Sequence, residues 1–407
     1  MPQSAVRRHR LLLLSLFLGL GALLAACAAQ PAATPTLTFL PSPTPSRTAP
    51  PSATAAASQL PTGTARPTPT PTSQLTPTSP APPDGLIVFS AGFPSHQLFV
   101  TNVDGSALAQ ITHEEGIDHF VVAWLPDGAH ILYETTPTDG ILADGVWLIG
   151  IDGTGQRKLS ADLPSAGNTS LSPDGNHVVF TAGPLDNSDL YLVDVSTGGI
   201  TRLTDDPAQD AMPAWSPDGR RIAYISTRTG YAEIYLMEAD GSELVQLTRQ
   251  DTTDKSWPVW SPDGSQLAVT VHIPLGSWVS VLDVTSGTLR RVTEELFADS
   301  PIWSPNSREL VFTASDLSLE DHYTTDIYRV DASEGIPRLI TNSTEALGYR
   351  AQGWTFDGQW VIASVEPSAA PASQMLLFTP DGATTLPLPV GEVSAVCCAL
   401  WQPAPER

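Results

Sequence analysis

The residues best suited to chemistry in this 407-residue chain are acids that recur at similar places. Asp118, Asp210, Asp254 and Asp299 stand four to six residues ahead of Trp124, Trp215, Trp260 and Trp303 respectively. Carboxylates gathered from separate segments can hold a hard cation such as Ca²⁺, or attract a basic segment of another protein. The stretches carrying them hold many acids against only Arg249, Lys255 and Arg350. The expectation is an acidic funnel with these four aspartates at its mouth. Other candidates carry less. His96, His113 and His119 lie near one another with Glu114, Glu115 and Asp118 between them, but the spacing matches no metal-ligand motif. They read as surface-loop histidines. Cys397 and Cys398 are adjacent in an extended run, which points their side chains to opposite faces; they read as two small, buried apolar residues. No Gly-x-Ser-x-Gly nucleophile elbow is present, and the chain as given ends soon after its closing strand, so no hydrolase domain is expected. The expected catalytic set is empty, and Ca²⁺ is the one cofactor considered.

Composition narrows the classes further. Twenty Lys+Arg against 43 Asp+Glu give a net charge of −23, which argues against nucleic-acid binding. Five arginines and a single acid precede Gly85, so residues 85–407 carry −27. Charged residues make up only 15 %, too few for a coiled coil or a charged disordered tail. Three cysteines cannot frame a small disulfide fold, so packed apolar surface must stabilise the chain.

Elements that could position these acids come from an internal repeat. Trp-Ser-Pro-Asp-Gly occurs at 215–219 and 260–264, with variants beginning at Trp124, Leu171, Trp303 and Trp354 and a partial copy at Trp401. The intervals of 47, 44, 45, 43, 51 and 47 residues suit one propeller blade per repeat. Within 211–248 an inner strand reaches Trp215 and turns at Ser216-Pro217-Asp218-Gly219. Then come Arg221–Ser226, Glu233–Met237 and, after Asp240-Gly241, Leu244–Thr248. Proline pre-sets φ in such a turn, aspartate bonds nearby backbone, and glycine takes the left-handed position. Pro82-Pro83-Asp84-Gly85 is the tail of a hairpin turn whose first strand is missing, and 396–401 is an inner strand whose turn is missing. The two fragments complete one blade and close the ring, leaving no open sheet edge. The prediction is an all-β protein: a seven-bladed β-propeller of four-stranded antiparallel blades over 85–407. The repeated tryptophans are expected to pack between blades.

These repeats resemble those of TolB and related WD-repeat-like propellers, which also occur in prolyl oligopeptidases; the resemblance covers essentially all of 82–403. It implies a binding scaffold, with a six-bladed ring as the alternative count. The α/β domain that precedes the propeller in TolB is replaced here by a different N-terminus.

That N-terminus has three parts. Arg7-Arg8-His9-Arg10 precedes an uncharged run from Leu11 to Ala26, about 16 residues and short of the roughly 20 needed to span a bilayer. Leu24-Ala25-Ala26-Cys27 resembles the lipobox of bacterial lipoproteins, which implies a signal peptide at 1–26, cleavage before Cys27 and lipid on its sulfur. Residues 27–84 follow as a Pro/Thr tether, with 15 of the 38 prolines in 28–84. At about 3.1 Å per residue it reaches on the order of 180 Å. The combined expectation is an exported monomer, held on the outer face of a bacterial membrane by acylated Cys27. It binds an unidentified protein or extracellular ligand without catalysis. The alternative is an envelope lyase or hydrolase acting on glycan or peptide at the channel mouth.

Overall fold

The computed structural model describes residues 84–402, apart from 93, 141, 250–251, 275, 294–295, 317–324, 345–346, 368–373 and 391–395. The signal peptide, Cys27 and the tether up to residue 83 therefore lie outside the described residues. Among those described, 28 strands form seven sheets of four strands each and no helix occurs. The sheets are successive blades at 86–110 (completed by Cys397–Trp401), 117–158, 167–202, 210–246, 254–291, 296–339 and 347–388. The count is seven, not the six of the alternative.

Blade 4 shows how the repeat folds. Asp210–Trp215 pairs antiparallel with Arg221–Ser226, which pairs with Glu233–Glu238, which pairs with Val245–Gln246. The tight turn is built by its own side chains. Ser216 Oγ donates to Asp218 Oδ1 at 2.6 Å and accepts the Arg221 N–H at 3.0 Å, while Gly219 takes φ +69°. The hydroxyl holds the Asp218 carboxyl below its ordinary range. The same serine-to-aspartate bond recurs at Ser172/Asp174 and Ser261/Asp263, and threonine provides it at Thr355/Asp357. The outermost strand is shorter than predicted. It has a neighbour on one side only, Leu244 and Val245 are about half exposed, and Thr248 turns its hydroxyl onto the Ile234 N–H at 2.9 Å instead of extending the ladder.

The ring closes as expected, with Ile87 opposite Trp401 and Ser90 opposite Cys397. The motif tryptophans do pack between blades. Ile225 and Ile234 of blade 4 form one cluster with Trp260, Leu267 and Val269 of blade 5. Each indole also donates to the preceding blade: Trp260 to Ala214 O at 3.0 Å, Trp303 to Val259 O at 3.0 Å, Trp354 to Ile302 O at 3.3 Å and Trp124 to Leu400 O at 3.3 Å. A buried N–H must find a partner, so this bond fixes one blade's register against the next as well as filling space.

Candidate functional site

Every inner strand carries one extra residue before its tryptophan, seen as a register shift against its neighbour. In five blades a bulge residue is a non-glycine in the left-handed region: Asn168, Met212, Trp257, Ser300 and Cys398, with φ between +49° and +55°. Holding such a residue there costs on the order of 1–2 kcal/mol, and a bulge re-aims the side chain it carries. Proline follows three of them, at 213, 258 and 301, where a missing N–H is tolerated because the bulge already interrupts the ladder.

A cavity of about 110 Å³ opens beside these bulges, on the rim formed by the longer connections. Its wall takes Cys398 from blade 1, Phe120 and Glu134 from blade 2, Asn168 and Ser188 from blade 3, Gln209 at the entrance to blade 4 and Trp257 from blade 5. Inner strands of blades 1, 3 and 5 approach one another only around the ring's axis, so this is the mouth of the central channel. Trp257 remains 37 % exposed there, which marks it as a contact surface rather than core. Glu134 is the one Asp or Glu in the lining, and no His, Arg or Lys is present among the described lining residues. Burial raises the Glu134 carboxyl above its ordinary range, partly offset by bonds from Thr169.

The four predicted aspartates lie on the innermost strands, not in the connections, and none of them lines this cavity. Asp118 is 2 % exposed, and its Oδ1 accepts the His96 N–H at 2.7 Å and lies 3.0 Å from His96 Nδ1. Asp210 is fully buried with both oxygens on Arg228 Nη2, at 3.1 and 2.9 Å. Asp254 accepts the Ala232 N–H at 2.8 Å. Asp299 sits half-buried opposite Thr313. Asp118 and Asp254 thus tie backbone N–H groups of the preceding blade, and Asp210 is neutralised by arginine. The structure does not bring the four together around one ion. Among the described residues, no three of His, Cys, Asp and Glu are grouped so as to hold a metal.

Three other expectations shift. His96 and His119 are buried, at 7 % and 0 % exposed, because they sit where blade 2 packs on blade 1; only His113 is a surface histidine. Burial pushes the His119 imidazole below its usual range. Cys397 is buried, but Cys398 falls on the bulge and reaches the cavity. Lys255, taken from sequence as a rim cation, is buried with its Nζ 2.8 Å from Glu233 Oε1. A second cavity of about 30 Å³ lies between blades 4 and 5, where Ser256 Oγ meets His272 Nε2 at 2.6 Å and burial lowers His272 to about 4.

The geometry can now be set beside known proteins. The family model for the TolB beta propeller domain matches residues 144–316. The domain is a TolB-like β-propeller. TolB from Acinetobacter baumannii superposes with a TM-score of 0.50 at 20 % identity, covering 79 % of this chain and 67 % of that one. Oligogalacturonate lyase from Vibrio parahaemolyticus gives 0.53 at 13 % identity, covering 68 % and 82 %. A prolyl endopeptidase gives 0.57 at 11 % identity, covering 81 % of this chain but 50 % of its own. No curated protein matches by sequence. At these identities the likeness shows the fold, which serves lyase, peptidase and TolB proteins alike.

Proposed function

We propose that the chain is a membrane-anchored, extracytoplasmic propeller that captures a protein or ligand at its channel mouth without transforming it. The observation that carries this reading is the cavity walled by residues from five blades on the long-connection rim, where recognition residues usually gather. Its one carboxylate stands beside aromatic, amide and hydroxyl groups, with no His, Arg or Lys in the described lining to act as base or to pair with an anionic glycan. That composition supports binding over the lyase or hydrolase alternative. In this reading Cys27 carries the lipid, and the Pro/Thr tether holds the ring clear of the membrane.

Site-specific photo-crosslinking tests it. A benzophenone amino acid replacing Trp257 in the full-length chain, expressed in cells with an intact envelope, is expected to give a discrete adduct. The same group at Asp218, on the opposite rim, is expected to give none. Equal labelling from both positions, or no adduct from 257, refutes the reading.

A further inference from the structure

The seven blades are seven copies of one design, so a position can be compared with its own counterparts in this chain. On the second strand of each blade, one position reads Ser90, Glu134, Thr181, Ile225, Thr270, Thr313 and Ser364. Where it is a hydroxyl, its structural task is visible: Ser90 accepts Val121 N–H at 3.0 Å, Thr181 accepts Met212 N–H at 3.2 Å and Thr313 accepts Ala351 N–H at 3.1 Å. Each bond joins one blade to the next. Blade 4 has Ile225, which cannot accept, and there the next blade's Trp257 N–H lies 3.5 Å from Met212 Sδ. Blade 2 has Glu134, whose Oε1 performs the same task on Thr169 N–H at 2.7 Å. Serine or threonine suffices for that bond elsewhere. The extra length and charge of a glutamate are surplus to it, and they lie on the cavity wall.

From this we infer that the chamber recognises an alkylammonium group, with Glu134 as its anionic contact and the aromatic faces of Phe120 and Trp257 as its walls. The inference rests on the binding reading above and names its ligand chemistry. A carboxylate held partly out of water gains most from a cation, and aromatic faces attract the same charge. The absence of Arg and Lys from the described lining leaves Glu134 uncompensated there, and the −27 carried by residues 85–407 draws cations toward the ring. Asn168, Ser188 and Gln209 supply acceptor oxygens for the remaining ammonium protons.

Calorimetric titration of the full-length chain in detergent with cadaverine (1,5-diaminopentane), and separately with end-blocked trilysine, tests the inference. Saturable binding of either supports it: cadaverine alone indicates a free amine as the natural ligand, and tighter binding of trilysine indicates a lysine of a protein partner. Glu134→Thr installs the residue that blade 3 uses, and Glu134→Gln keeps the shape. Both are expected to weaken binding about 10- to 100-fold, the range for a hydrogen bond to a charged group, with the Thr variant melting as wild type. No saturable heat from either probe, tighter binding of glucose than of cadaverine, or unchanged affinity in Glu134→Gln overturns it. If the Trp257-position crosslink forms equally in Glu134→Thr, the ammonium inference falls while the capture reading stands.

Discussion

Lys255→Met should destabilise the ring by about 3–5 kcal/mol, the range for removing one partner of a buried ion pair. Both charged groups are out of water: Lys255 side chain 0 % and Glu233 side chain 2 % exposed. Lys255 Nζ donates to Glu233 Oε1 at 2.8 Å and to Thr253 O at 2.9 Å, while the other Glu233 oxygen accepts from Thr248 Oγ1. The pair joins the inner strand of blade 5 to the third strand of blade 4, so its loss is felt at an interface between blades. With methionine the stem still packs, but Glu233 keeps its charge in a site that water does not reach. For roughly 300 ordered residues unfolding together, that cost lowers Tm by about 5–8 °C. Urea unfolding followed by tryptophan fluorescence measures it. The double variant Lys255→Met/Glu233→Gln removes the stranded charge and is expected to recover most of the loss. Raising salt should change little, because screening does not reach a dry pair. A single-variant loss below about 1 kcal/mol, or a double variant no better than the single, refutes the reasoning.

Other outcomes follow from the same geometry. His272 has a folded pKa of about 4 against an ordinary 6.5, so below pH 6.5 the unfolded chain takes up a proton that the folded chain refuses. Stability therefore falls as pH drops from 6.5 toward 4, by up to about 3 kcal/mol, and urea midpoints for His272→Asn should show a shallower fall. Asp210→Asn strips Arg228 of its anionic partner, so it should lower Tm rather than ligand affinity, and differential scanning calorimetry beside the cadaverine titration separates the two. Trp303→Phe keeps the ring but loses the indole bond to Val259 O, an expected cost of about 0.5–1.5 kcal/mol in urea unfolding. Cys398, on the cavity wall, should react with iodoacetamide well before Cys397, whose thiol is pushed up by the bond from Cys398 and by burial; peptide mass spectrometry reports the order.

The architecture was legible because its instructions are local. Ser216-Pro217-Asp218-Gly219 sets its own turn through bonds spanning five residues, and a strand's alternation is written along the strand itself. Repetition then multiplied a weak signal, and the half-motifs at the two ends showed how the ring closes. The site was legible only in part. Asp118, Asp210 and Asp254 were singled out because acids before an inner strand resemble ligands, yet the same placement lets them bond the neighbouring blade or its arginine. Two signals went unused. Prolines 213, 258 and 301, each two residues before a motif tryptophan, mark interruptions in the ladder, and Glu134 is the odd member of a hydroxyl-rich column.

By itself the sequence determined the blade, the number of blades and the pairing of chain ends, since each depends on turn chemistry and on side-chain alternation over a few residues. Tertiary structure alone decided which side chains meet at the axis. Phe120, Glu134, Asn168, Gln209, Trp257 and Cys398 are scattered over nearly 280 positions, and a one-residue bulge in each inner strand sets where its side chains face. Register, not spacing, put a carboxylate and two aromatic rings on one wall while burying the acids that sequence had placed at the mouth.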